Sequence, residues 1–258
     1  MEVFSVRFRN LPGAFARNIA RSRGKAIVPA DHDADVDAYL AETGLLDTCK
    51  PFTMTSPRRL AALGQAVDYV IDRGIPGDFV ECGVWKGGSL IAMRHRLTQR
   101  GDEDRVVYGF DTFAGMTPPT NEDQTDGESA ASMMDREKDD DGTWLAVSRD
   151  DVAANVRTVD PELARVRLVE GPVEQTLPGE APEQIAILRL DTDWYESTKH
   201  ELETLYPRLS VGGVLIIDDY GYWRGSRQAV DEFIEAGNVP LHLVRIDQWA
   251  KMAVKVGA

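Results

Sequence analysis

The stretch IAILRLDTDWYESTKHELETLYPRLSVGGVLIIDDY, residues 185–220, decides the fold. IAILRLD (185–191) is a short apolar run ending in an acid, the pattern of a buried strand. A helix over about 196–206 follows, with Pro207 near its end. GVLIIDD (213–219) then repeats the first pattern. A strand, a helix and a second strand in so short a span make a parallel pair joined by a crossover helix.

The same alternation runs outward in both directions. DFVEC (78–82) reads as a strand, GVWKGGS (83–89) as a glycine-rich turn and LIAMRHRLTQR (90–100) as a helix stopped by Gly101. VVYGFD (106–111) and RVRLVEG (165–171) are two further strands, with a helix near 149–159 before the latter. Upstream, Ser56 suits an N-cap and Pro57 the first helical position. Leu60, Leu63, Val67, Val70 and Ile71 then repeat at helical spacing, giving a helix over 57–73 closed by Gly74. SRQAVDEFIEA (226–236) is a helix closed by Gly237. LHLVRID (241–247) and WAKMAVKV (249–256) form a terminal hairpin. The expected fold is therefore α/β, a Rossmann-like sheet, mostly parallel, with helices on both faces and an antiparallel end. An antiparallel last strand separates a methyltransferase-like sheet from a plain dinucleotide fold.

Composition sets the outer bounds. The chain has 258 residues, 43% hydrophobic and 28% charged, which is globular and long enough for a full core. Lys and Arg number 29 against 43 Asp and Glu, a net charge of −14 that argues against a nucleic-acid partner. Two cysteines, Cys49 and Cys82, make neither a disulfide framework nor a zinc module, and a reducing cytoplasm is the expected location. No apolar run approaches the ~18 residues needed to span a membrane. Residues 1–30 hold six basic residues and one acid, with no apolar segment of the secretory type. They read as a basic helical arm packed on an acidic body or on a sister subunit, so a homo-oligomer, dimer or higher, is expected. Residues 1–50 are taken as an N-terminal helical arm or lid and 51–258 as the main domain. Residues 121–142 hold nine acids against two bases and read as a long, solvated, mobile excursion.

In a parallel sheet ligands bind beyond the carboxyl ends of the strands, and the conspicuous polar residues lie there. ECGVWKGGS (81–89) lets a ligand approach the backbone and leaves helix N–H groups free. Its spacing is G-x-x-x-G-G rather than the dinucleotide G-x-G-x-x-G. Glu81, just before it, would repel a pyrophosphate but accept from an ammonium group. S-adenosylmethionine carries an ammonium and a sulfonium and no phosphate, so the turn favours that cofactor over NAD. The plain alternative is a tight turn with no ligand. Asp111, ending its strand, is suited to the two hydroxyls of a ribose; the alternative is a turn aspartate.

The strongest signal is acidic. LRLDTD (188–193) and IIDDY (216–220) end adjacent strands, which gathers Asp191, Asp218 and Asp219 at one rim. Three carboxylates so close need a compensating charge, and a divalent cation such as Mg²⁺, which takes oxygen ligands, supplies it. Strand-end aspartates capping helices are the alternative. Asp193, on the same loop, is the candidate base if it is not a ligand, with Asp191 as the other candidate for that role.

With those residues in view, ECGVWKGGS, FDTFAGM (110–116), LRLDTDWYEST (188–198) and YPRLSVGGVLIIDDY (206–220) together resemble the macrocin O-methyltransferase family. The resemblance covers roughly residues 50–258. It implies a class I methyltransferase fold, S-adenosylmethionine, Mg²⁺ held by Asp191, Asp218 and Asp219, and methylation of a sugar hydroxyl on an antibiotic. It also implies a cofactor loop with Glu81, Gly83 and Ser89, a ribose contact at Asp111 with Thr112 beside it, and adenine contacts near Gly171 and Val173. Thr53 and Met54, in FTMT (52–55), match the segment that closes over the methionine end. Related catechol-type enzymes have a lysine three residues after the first metal aspartate, and this chain has Trp194 there. Asp193 fits the aspartate that sugar-methylating enzymes use instead. The expected acceptor is a glycosylated small molecule. A catechol or small phenol as acceptor, or a non-catalytic cofactor-binding protein, are the alternatives.

Overall fold

The computed structural model describes residues 34–139, 142–237 and 239–257, so the expected basic arm over 1–30 lies outside the described residues. Helices α1 (Ala34–Thr43), α2 (Leu45–Cys49) and α3 (Pro57–Asp72) come first. Then follow β1 (Asp78–Cys82), α4 (Gly88–Gln99), β2 (Val107–Asp111), α5 (Ala130–Glu137), α6 (Arg149–Val156), β3 (Val166–Glu170) and α7 (Val173–Thr176). The last part holds β4 (Ile185–Leu190), α8 (Tyr195–Leu205), β5 (Leu209–Ile217), α9 (Arg224–Gly237), β6 (Val244–Arg245) and β7 (Lys251–Val254). The strand order is β3-β2-β1-β4-β5-β7-β6. β1 to β5 pair in parallel, and β7 runs antiparallel to β5 and β6. The order reverses between β1 and β4, which opens the crevice that such sheets use for ligands.

Side chains alternate between two cores, as a period of two requires. Phe79, Ile187, Val214 and Ile216 face one way and pack with Leu60, Leu63, Val67 and Val70 of α3 and Ile91 of α4. Val80, Cys82, Leu188, Leu190, Leu215 and Ile217 face the other way, against Leu202 and Leu205 of α8 and Val230 of α9. Each fully buried Leu or Val contributes roughly 1.5–3 kcal/mol relative to exposure. The same alternation continues past the apolar runs. Glu81 lies on the face of Phe79, Arg189 and Asp191 on that of Ile187, and Asp218 on that of Ile216. Charges are thus delivered to one face at the strand tips by the rule that buries the core.

Helix α3 starts where expected, with the Ser56 hydroxyl accepting from the Arg59 N–H. Residues 34–49 pack Leu40, Leu45 and Cys49 into the α3–α4 core. The terminal hairpin is present, but β6 is only two residues long. Leu241 and Leu243, ahead of it, pack on the second core rather than extend the ladder.

The acidic segment 121–142 departs from its expected character. Asp123 is fully buried, Gln124 bridges Ser129, and α5 follows. Ala130 joins Trp144, Trp194 and Trp223 in a third apolar cluster, with Met133 and Met134 against it. Summed charge hid a few anchoring apolar side chains among many solvated acids.

Candidate active site

A cavity of about 480 Å³ lies at the carboxyl ends of β1, β2, β4 and β5. Thr53, Met54, Glu81, Gly83, Ser89, Asp111, Thr112, Gly171 and Val173 all line it, and so do Asp191, Asp193, Asp218 and Asp219. Every site residue singled out in the sequence therefore faces one space.

One half is built from backbone and turns. Gly83 has φ 83°, and a Cβ there would stand 2.1 Å from the Asp191 carbonyl oxygen. Only glycine lets the tips of β1 and β4 approach this closely. Gly87, at φ 89°, starts α4 with no side-chain cap among the described residues. Asp111 accepts from the Val84 and Trp85 N–H groups at 2.6 and 3.1 Å and from Phe113 N–H at 2.8 Å. It braces the glycine turn as well as lining the cavity. Thr112 donates to the Gly115 carbonyl at 2.6 Å. The Thr53 hydroxyl accepts from Thr55 N–H at 3.0 Å, while Met54 stands 64% exposed at the mouth.

The other half is electrostatic. Arg189 is buried and donates to Glu81 Oε1 at 2.5 Å, Asp191 Oδ2 at 2.6 Å and Asp218 Oδ1 at 2.7 Å. Arg59, from the first turn of α3, pairs with Asp218 Oδ2 and reaches Asp247 Oδ2 at 2.8 Å. Burial pushes the Glu81 carboxyl up to about 7 despite Arg189, and among the described residues its Oε2 has no hydrogen-bond partner. Burial also raises Asp193 to about 7 and drives Asp191 and Asp219 well above the usual carboxylate range, with like charges adding to the effect. Asp193 holds φ 70°, a conformation that Asp tolerates better than most residues.

Among the described residues, the acids whose oxygens lie within 4.8 Å of one another are Asp191, Asp193 and Asp219. The sequence reading groups Asp191 and Asp219 with Asp218 instead. Asp218 is drawn to the arginine side because two guanidinium groups take one oxygen each. Among the described residues Asp219 Oδ2 is buried with no hydrogen-bond partner. An oxygen-only donor set with an orphaned carboxylate oxygen fits a hard divalent cation.

Three features escaped the sequence reading. Arg189 sits inside an apolar strand, where a charged side chain must have buried partners; its place in LRLDTD was the available signal. Arg59 is one of two adjacent arginines in the first turn of α3 and carried no distinguishing mark. The apolar and aromatic wall of Met116, Met133, Trp144, Tyr222, Trp223 and Trp249 comes from segments far apart in the chain. Trp194 does not replace the catechol-type lysine by any ionic contact; it is 3% exposed and donates through Nε1 to the Thr117 carbonyl at 2.9 Å.

Comparison with known proteins bears on this geometry. The family model for macrocin-O-methyltransferase (TylF) matches residues 14–254, beginning ahead of the expected boundary near residue 50. The chain is 38% identical over 196 residues to the demethyldecarbamoylnovobiocin O-methyltransferase of Streptomyces niveus, covering 76% of this chain and 72% of that one. It is 40% identical over 181 residues to the 8-demethyl-8-(2,3-dimethoxy-alpha-L-rhamnosyl)-tetracenomycin-C 4'-O-methyltransferase of Streptomyces olivaceus, covering 70% and 67%. The solved structure of the O-methyltransferase NovP superposes with a TM-score of 0.71 at 37% identity, covering 80% of this chain and 83% of that one.

Proposed function

The chain belongs to the macrocin-O-methyltransferase family and is an S-adenosylmethionine-dependent O-methyltransferase; from that premise we propose that it methylates a sugar hydroxyl of a glycosylated natural product and that it depends on Mg²⁺. The oxygens of Asp191, Asp193 and Asp219 converge in the same cavity as Glu81 and Asp111, and that convergence carries the reading. The tetracenomycin relative, whose name includes a rhamnosyl group and a 4'-O-methyl transfer, supports a sugar acceptor.

Within that cluster Asp191 and Asp219 would hold the cation, joined by Asp218 next to Asp219, which leaves Asp193 for the proton. Each Asp218 oxygen accepts one guanidinium N–H and keeps a further lone pair. When bound, Mg²⁺ would supply Lewis-acid stabilisation of charge developing on a sugar oxygen, a poor nucleophile at neutral pH. Asp193 is engaged by no ion pair among the described residues and takes the hydroxyl proton as the oxygen–carbon bond forms and the sulfur–carbon bond breaks. The sulfur leaves as a neutral sulfide, so charge balances. Glu81 Oε2, without a hydrogen-bond partner among the described residues, would accept from the donor's ammonium group. Gly83, Ser89, Thr53 and Met54 shape the donor's place, and Asp111, Thr112, Gly171 and Val173 its nucleoside end. The aromatic wall takes the acceptor and excludes water from the acids.

The test is turnover of S-adenosylmethionine by the purified protein with a panel of deoxysugar glycosides and Mg²⁺. Methylated sugar and released S-adenosylhomocysteine are expected, with loss in EDTA and recovery on adding Mg²⁺. Full activity in EDTA would remove the metal from the account. Donor binding without consumption on any glycoside would remove the sugar acceptor.

A further inference from the structure

Asp123 lies in the acidic segment but is fully buried. Its Oδ2 accepts from Thr120 N–H at 2.7 Å and from the Thr120 hydroxyl at 2.9 Å. Its Oδ1 accepts from Tyr195 N–H at 2.7 Å. Tyr195 is the first residue of α8 and follows Asp193 by two positions. Asp123 therefore caps, from a distant segment, the helix that leaves the Asp191–Asp193 loop. An anion there is favoured by the free N–H groups and by the helix dipole.

The same oxygen touches a second helix start. Gly225 is the second residue of α9, which follows the Asp218–Asp219 loop. A Cβ on Gly225 would stand 2.1 Å from Asp123 Oδ1. Neighbouring contacts run the same way: Arg224 N–H donates to the Gln124 carbonyl at 2.8 Å, and Trp194 Nε1 to the Thr117 carbonyl at 2.9 Å. One carboxylate thus sits at the junction of the two helices that anchor both acid loops. Its segment also sends Met116, Thr117 and Met133 to the cavity.

We propose that Asp123 is a positioning residue for Asp193, a key between the acceptor-side segment and the two acid-bearing loops, set into the gap left by Gly225. The proposal rests on Asp193 acting as the base. The left-handed backbone at Asp193 persists only where its surroundings hold it. Thr192 N-terminal to it is held by Glu201, through Thr192 Oγ1 to Oε1 at 2.9 Å, and Tyr195 C-terminal to it by Asp123. A small misplacement of a proton acceptor is costly to rate and not to donor affinity.

The test is a cycle of Asp123→Asn, Asp123→Ala, Gly225→Ala and the double variant Asp123→Ala/Gly225→Ala in the full chain. Melting temperature, donor affinity by calorimetry and kcat are read for each. Asp123→Asn keeps the size but cannot accept at both oxygens; its kcat should fall about tenfold or more with donor affinity within about twofold. Gly225→Ala, which ordinarily strengthens a helix, should lower both melting temperature and kcat in the wild-type background. In the Asp123→Ala background most of that cost should disappear, because the close neighbour left to the new Cβ is Tyr195 N at 3.1 Å. A neutral Gly225→Ala would overturn the proposal, as would full kcat in a folded Asp123→Asn. Parallel loss of donor affinity and kcat would overturn it too, since that is general disorder. Wild-type enzyme inactive on every glycoside would sink the sugar reading instead, while the melting cycle still decides whether Asp123 fills the Gly225 gap.

Discussion

Arg189 on β4 donates through Nη1 to Glu81 Oε1 on β1 at 2.5 Å, across the point where the strand order reverses. Each side chain is 2% exposed. The same guanidinium holds Asp191 and Asp218, so one buried cation serves three carboxylates. Removing it leaves buried charge uncompensated, which costs more than the pair contributes when intact. Arg189→Met should lose roughly 3–5 kcal/mol in urea unfolding. Arg189→Lys should recover only part, because an ammonium cannot present the guanidinium's fork of donors. A loss below about 1 kcal/mol, the range of an exposed pair, would contradict this account.

Asp193→Asn should separate chemistry from binding. Asn accepts the left-handed backbone that Asp193 holds, so the loop should keep its shape. It cannot take a proton. The expected result is a kcat lower by about 10²–10⁴ with the donor dissociation constant unchanged. Stopped assays with calorimetry on the same sample check it. If kcat and donor affinity fall together, Asp193 belongs to the binding surface and not to proton transfer.

Gly83 presents a different case, because its importance needs no ligand. A Cβ at φ 83° would be strained and would also meet the Asp191 carbonyl at 2.1 Å. The nearest atoms, Asp191 O and C and Thr192 N, are all backbone, so none can swing aside. Gly83→Ala should cost at least about 1–3 kcal/mol from strain alone and displace the Asp191 loop. Thermal unfolding with and without donor would read it. An unchanged melting temperature in both would mean that β1 and β4 separate more freely than their register indicates.

These outcomes trace how far the chain could be read. The strands VVYGFD, IAILRLD and GVLIIDD were legible as short apolar runs ending in acids, and the period of two carried Glu81, Asp191 and Asp218 to one face. Gly83 was legible as a turn residue, but its contact with Asp191 was not, since that depends on β4 lying beside β1. Arg189 was hidden inside LRLDTD because a lone charge in a strand gains meaning only from neighbours on other strands. Asp123 was hidden for the opposite reason: it was one acid among nine in residues 121–142, and composition cannot tell the buried acid from the solvated ones. The division of Asp218 from Asp193 likewise turned on Arg59, an α3 residue far away in sequence.

Asp247 ties folding stability to pH. It lies just before β7 and accepts from Arg59 Nε at 2.8 Å, from Trp249 and Ala250 N–H groups at 2.9 Å each, and from the Ser56 hydroxyl at 3.1 Å. Burial opposes its ionisation, yet the Arg59 guanidinium and the two amides outweigh it and hold the carboxyl down at about 2, from 3.8. A depressed value favours the folded state above the unfolded value, and that contribution disappears as pH falls through the folded one. The contribution is about 2 kcal/mol, full above about pH 5 and lost progressively down to about pH 1. Asp247→Asn should therefore be less stable than wild type at neutral pH, with the gap in urea midpoints closing as the solution is acidified. A gap that stays constant down to about pH 2 would mean the side chain acts by shape alone, not by charge on the Arg59 side of the acid cluster.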